Sequence, residues 1–132
     1  TNIASGSAIV IDALAPTARL ISCEISSCYG IFERTSITVQ STETGTAYLV
    51  KTGGSGADIT VTNLASITSA DPDLWNRVTI SQASTDTTLA LADLEEGIYH
   101  VYAVDALGNL STASVGPGGM SGANGSLDIK TE

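Results

Sequence analysis

At 132 residues with 42% hydrophobic side chains, the chain can bury the core of one domain, which excludes a disordered polymer. Fourteen acidic residues against five Lys and Arg give a net charge of −9, which excludes nucleic acid as a partner because phosphate must be neutralised by cations. There is no run of 18 apolar residues, so no membrane insertion by a helix is expected.

In chain order, Ser7 to Asp12 is a short strand candidate, and Pro16 marks a break or the start of an edge. Ala18 to Ile25 reads as the next strand. Thr35 to Ser41 alternates, with Ile37 and Val39 on one face and Ser36, Thr38 and Gln40 on the other, the period-2 pattern of a strand with one wet face. A polar turn, Thr42 to Gly45, leads into Thr46 to Lys51, where Ala47, Leu49 and Lys51 oppose Tyr48 and Val50. Glycines 53, 54 and 56 mark a turn, and Asp58 to Thr62 is another strand candidate.

Residues 64–76 are the least regular, with one expected helical turn that has Asp71 as N-cap and Pro72 at its first position. Arg77 to Gln82 and Thr87 to Leu91 alternate again, with Val78, Ile80, Leu89 and Leu91 inward. Leu94-x-x-Gly97-x-Tyr99 opens the strand Ile98 to Val104, which ends in the turn Asp105-x-x-Gly108-Asn109. This corner resembles the tyrosine corner of Greek-key sandwiches, in which a tyrosine hydroxyl ties back to nearby backbone. Ser111 to Val115 is a returning strand, residues 116–125 are a glycine-rich linker, and Ser126 to Lys130 is a last strand. Ala4-Ser-Gly-Ser and Ala123-Asn-Gly-Ser, 119 positions apart, hint at repetition. Short strands with turns every 8 to 12 residues and almost no helix predict an all-β fold, an antiparallel Greek-key sandwich of about 7–9 strands.

Three stretches carry a family resemblance: Ser41 to Val50, Leu74 to Ile80, and Leu94 to Ser111 with its Gly-x-Tyr-x-Val-Tyr-Ala-Val-Asp-Ala-x-Gly-Asn-Leu-Ser run. Together with the entry Asp12-x-x-x-Pro16-Thr17, they resemble the Ig-like repeat of large secreted bacterial surface adhesins of the RTX type, over about residues 8 to 116. The resemblance implies an Ig-like sandwich at 16–116, an inter-repeat entry segment at 1–15, and a linker and exit strand at 117–132. It also implies secretion to the cell surface, neighbouring repeats of the same chain as partners, and service as a structural extender. Calcium commonly stiffens the junctions of related adhesins. The segment from Cys23 to Arg34 has no counterpart in the usual repeat. This leaves open an alternative, a module that binds a glycan or a host-surface protein through that loop.

Candidate chemistry follows from this order. Ig-like topology would bring Asp12, Glu43, Asp105 and Asn109 to one pole as oxygen ligands for calcium, the candidate cofactor. Asp105 shares parity with Tyr99, Val101 and Ala103, so its carboxylate lies on the core side and needs a partner. The readier partner is its own turn, whose backbone N–H groups near Gly108 and Asn109 an Asp at this position often caps. Cys23 and Cys28 suit a disulfide closing a short loop, worth roughly 2 kcal/mol, better than a zinc half-site, which lacks further ligands. Trp75, Tyr102 and His100 could form a shallow ligand platform, although a Trp in a small sandwich more often packs in the core. With no nucleophile elbow and no convergent triad, an enzyme is not expected.

Overall fold

The computed structural model describes residues 15–23, 36–54, 56–91, 93–114 and 126–129. The strand expected at Ser7 to Asp12, the 24–34 segment and the glycine-rich 116–125 stretch lie outside these residues.

Among the described residues, seven strands form two antiparallel sheets: β1 (Ala18–Cys23), β2 (Ser36–Ser41), β3 (Gly45–Gly53), β4 (Trp75–Ile80), β5 (Thr87–Ala90), β6 (Gly97–Asp105) and β7 (Ser126–Ile129). One sheet has the order β1-β2-β5 and the other β4-β3-β6-β7. The chain crosses between them after β2, after β4 and after β5, which is the Greek-key sandwich expected from the sequence. Alternation decides which side chains meet. Leu20, Ile37, Val39 and Leu89 from the first sheet pack against Ala47, Leu49, Tyr99, Val101 and Ala103 from the second.

The four-stranded sheet is covered on its other face as well. Tyr48, Val50 and Val104 point away from the main core, yet they are buried in a second cluster with Ile59, Ile67 and Leu74. The cover comes from residues 59–74. Here a five-residue helix, α1 (Leu64–Thr68), starts at Asn63, whose side chain accepts the Ser66 N–H at 2.9 Å while Ser66 Oγ accepts the Asn63 N–H. The turn expected at Asp71 is present as a single 3-10 turn, Pro72–Leu74, capped by Asp71. The strand expected at 58–62 does not form. Ile59 makes one backbone bond to Lys51 and turns its side chain into the second cluster.

The edge of β6 is shared. Ser126–Ile129 pairs with only its first half, Gly97 to His100. Beyond that, of the strand expected at 111–115 the described residues 111–114 form no ladder: a single bridge, Val104 to Leu110, is followed by two buried serines. Ser111 Oγ accepts the Ala103 N–H at 2.8 Å, and Ser114 Oγ accepts the Val101 N–H at 2.9 Å. Hydroxyls take the place of ladder carbonyls, so β6 keeps its donors satisfied without a strand beside it.

Candidate functional site

Register fixes what meets at each end of the sandwich. At the entry pole, the N–H of Thr17 donates to Thr42 Oγ1 at 2.8 Å and that of Thr42 donates to Thr17 O at 3.1 Å. Gly45 pairs with Asp105. A Cβ on Gly45 would lie 1.9 Å from the carbonyl oxygen of Val104, so the 42–45 turn and the 105–109 turn are in backbone contact and only glycine fits. Glu43, Asp105 and Asn109 therefore share one pole. Asp12 lies outside the described residues.

The Asp105 carboxylate, on a residue only 5% exposed, is engaged by its own turn. Oδ1 accepts the N–H groups of Leu107 and Asn109, each at 2.9 Å, and Oδ2 accepts Asn109 Nδ2 at 3.0 Å. The Gly108 N–H closes the turn on the Asp105 carbonyl. These bonds meet the need of a carboxylate on the core side. Among the described residues, no three His, Cys, Asp or Glu side chains are close enough together to hold a metal ion. The Cys23–Cys28 pairing also falls outside them.

Tyr99 forms the expected corner at the opposite pole, its hydroxyl donating to the Glu95 carbonyl at 2.6 Å. Burial, and after it the charges of Glu95 and Asp73, push its phenol well above the usual range. Beside it lies a pair that sequence reasoning left unmatched. Lys51 is fully buried, and its Nζ meets Glu95 Oε1 at 2.8 Å, where the carboxylate reaches solvent. Lys51 stood on the core parity of β3 and so called for an anion. Glu95, four residues before Tyr99, was the unnoticed half of the signal. The pair is roofed by glycines, since a Cβ on Gly97 would fall 2.3 Å from Lys51 Cε and 2.9 Å from the Gly53 carbonyl.

Trp75, His100 and Tyr102 all lie on the outer face of the four-stranded sheet, where Trp75 and His100 flank Val50 and Tyr102 pairs with Tyr48. Each has local work. The Trp75 indole N–H donates to the Ala70 carbonyl at 3.2 Å, and its ring packs on Tyr48 with centroids 5.9 Å apart. His100 Nδ1 bonds Thr52 Oγ1 at 2.7 Å, and burial lowers the pKa of its ring. Tyr102 packs on the second cluster, where burial raises its phenol. The residues also line different depressions. Trp75 borders one of about 700 Å³ with Asp73, Arg77 and Asp93, while Tyr102 borders one of about 500 Å³ with Asn63 and Leu110. Compared with protein-family models, curated proteins and solved structures, the chain matches none.

Proposed function

We propose that the chain is a spacer: one Ig-like unit of a tandem array in a large secreted bacterial surface adhesin, transmitting tension from one end to the other. The polarity of the sandwich carries this proposal. The chain enters β1 beside Thr42 and Asp105, and it leaves β7 opposite Gly97 at the far pole. Units with entry and exit at opposite ends join in line. Tension between those ends pulls β1 along β2 and β7 along β6, so the bonds of each strand are loaded together rather than peeled singly.

The 119-residue echo between Ala4-Ser-Gly-Ser and Ala123-Asn-Gly-Ser supplies a natural joint, and the likeness to bacterial Ig-like repeats supplies the setting. Calcium belongs to this proposal as an ion at the entry pole, with oxygens from Asp12 and Glu43. Asp105 and Asn109 would serve it only by giving up bonds that close their own turn.

Two copies joined at the echo test the proposal by small-angle scattering. In-line spacers should have a maximum dimension close to twice that of one copy, and a pair that folds back side by side would contradict it. Melting in millimolar calcium and in chelator tests the ion, since a ligand bound only by the folded state must raise the midpoint. An unmoved midpoint removes calcium and leaves the spacer.

A further inference from the structure

The edge of β6 is covered by two pieces of chain running in the same direction. Leu110 sits opposite Val104, Ser111 beside Ala103 and Ser114 beside Val101. The track then resumes with Ser126 opposite His100 and ends with Ile129 opposite Gly97. His100 and Val101 are consecutive, so the two pieces meet at neighbouring positions of β6. Yet eleven residues, 115–125, five of them glycine, separate the pieces in sequence. One edge strand is thus split in the middle, at a point where the sequence inserts eleven residues.

Building on the spacer assignment, we propose that β7 is a releasable strap, which gives the unit a second function as an extensible tension buffer. Two observations set the order of yielding. β7 pairs with β6 at four positions. β1 pairs with β2 at five, and at the pole where it is pulled it is also clamped by the reciprocal Thr17–Thr42 bonds. When β7 slides off, the load passes to Ser114. The half of β6 from Val101 onward keeps its cap, because Ser111 and Ser114 hold Ala103 and Val101 independently of β7. The opening can therefore stop at the split and leave the rest of the sandwich folded, as a local unit of low stability.

The length released follows from chain geometry. Between the anchors at Ser114 and Ile129, extended chain spans about 50 Å at ~3.4 Å per residue. The same anchors lie about 14 Å apart while β7 is docked, since they sit beside Val101 and Gly97 at a strand's rise per residue. Each unit should lengthen by about 35 Å on release. Unfolding of residues 18 to 114 would add roughly 300 Å on the same scale, so the two events are readily told apart.

Stretching the full chain between handles at its two termini tests the proposal. The expected record is an early step of about 35 Å that reverses on relaxation, followed by one large unfolding step. Removing residues 116–124 should shorten the early step by about 30 Å and leave the large one unchanged. Native-state hydrogen exchange on the unaltered protein covers the case in which the shortened chain does not fold. The amides of residues 126–129 should exchange through a local opening, while those of Val101 and Ala103 exchange only on global unfolding. A single-step record, or equal protection of both groups, would overturn the strap and leave the spacer standing. A chain whose two copies fold back on one another in scattering would instead remove the spacer, whatever the early step does.

Discussion

The buried Lys51–Glu95 pair gives the sharpest test of how the far pole is built. Lys51 is fully buried, whereas the Glu95 side chain is 43% exposed, so the pair falls between two regimes. Removing one partner of a fully buried pair costs about 3–5 kcal/mol, and exposed pairs are worth about 0–1 kcal/mol. Glu95→Gln keeps the shape but removes the charge beside the ammonium, and it should cost about 1–3 kcal/mol, since water reaches the carboxylate side. Lys51→Met keeps the buried stem and removes the ammonium. It should lie within about 1 kcal/mol of the parent, because apolar replacement of a buried ion is often neutral. In the Met background, Glu95→Gln should then cost almost nothing. Urea unfolding of the four proteins at neutral pH measures the cycle, with equal m-values as the check that only stability has changed. A Glu95→Gln cost that is the same in both backgrounds would refute the pairing as the source of the effect.

Tyr99→Phe, which removes the hydroxyl from the Glu95 carbonyl, should cost about 1–2 kcal/mol in the same assay. The Tyr99 pKa is raised above its ordinary value of 10.0 by burial first and by Glu95 and Asp73 after it. The folded state therefore holds a proton that the unfolded state releases, so this contribution is complete below about pH 10 and is lost as pH rises further. The Phe variant should show a flatter fall in stability with pH in that range. Gly97→Ala places a Cβ 2.3 Å from Lys51 Cε at a φ of +156°; about 2 kcal/mol of destabilisation is expected, visible as a lower thermal midpoint. Asp105→Ala strips three donors of their acceptor at the entry pole and should cost about 2 kcal/mol, with Asp105→Asn in between.

The strands whose outer faces meet water were legible in the sequence. Thr35 to Ser41 and Thr87 to Leu91 alternate because one side is wet, and the structure buries Ile37, Val39, Leu89 and Leu91 as that pattern predicts. The tyrosine corner was legible for a different reason: Leu94, Gly97 and Tyr99 are tied by local geometry, so their spacing survives in the sequence. The second cluster was not legible. Ile59, Ile67 and Leu74 follow no single period, and the helix among them is too short to show a face, so their burial depends on a sheet surface formed elsewhere in the chain. Ser111 and Ser114 were misleading because a strand and a serine track share the same extended path. They differ only in whether carbonyls or hydroxyls meet the neighbouring N–H groups. The cap at Asp105 was legible because it is local: the Asp-x-x-Gly-Asn spacing puts the N–H groups of Leu107 and Asn109 within reach of its carboxylate.

The two-sided burial of the four-stranded sheet bears on how such a unit could yield in part without failing. β3 is an inner strand of that sheet, paired with β4 and β6, and its residues 47–51 are buried on both faces. Its apolar contacts and ladder bonds can be lost only together. β1 and β7, through which tension would enter, are edge strands of different sheets, and neither pairs with β3. Removing β7 from the edge of β6 thus leaves the β4-β3-β6 ladder and the outer cluster of Tyr48, Val50 and Ile67 in place. Had residues 59–74 been a plain loop, the outer face of β3 would be wet and the sheet would depend on the main core alone. A slipping edge would then expose the only apolar layer. Cladding the second face separates the stability of the sheet from the fate of its edge, and it accounts for the sixteen residues 59–74 in a fold that could otherwise connect β3 to β4 by a short turn.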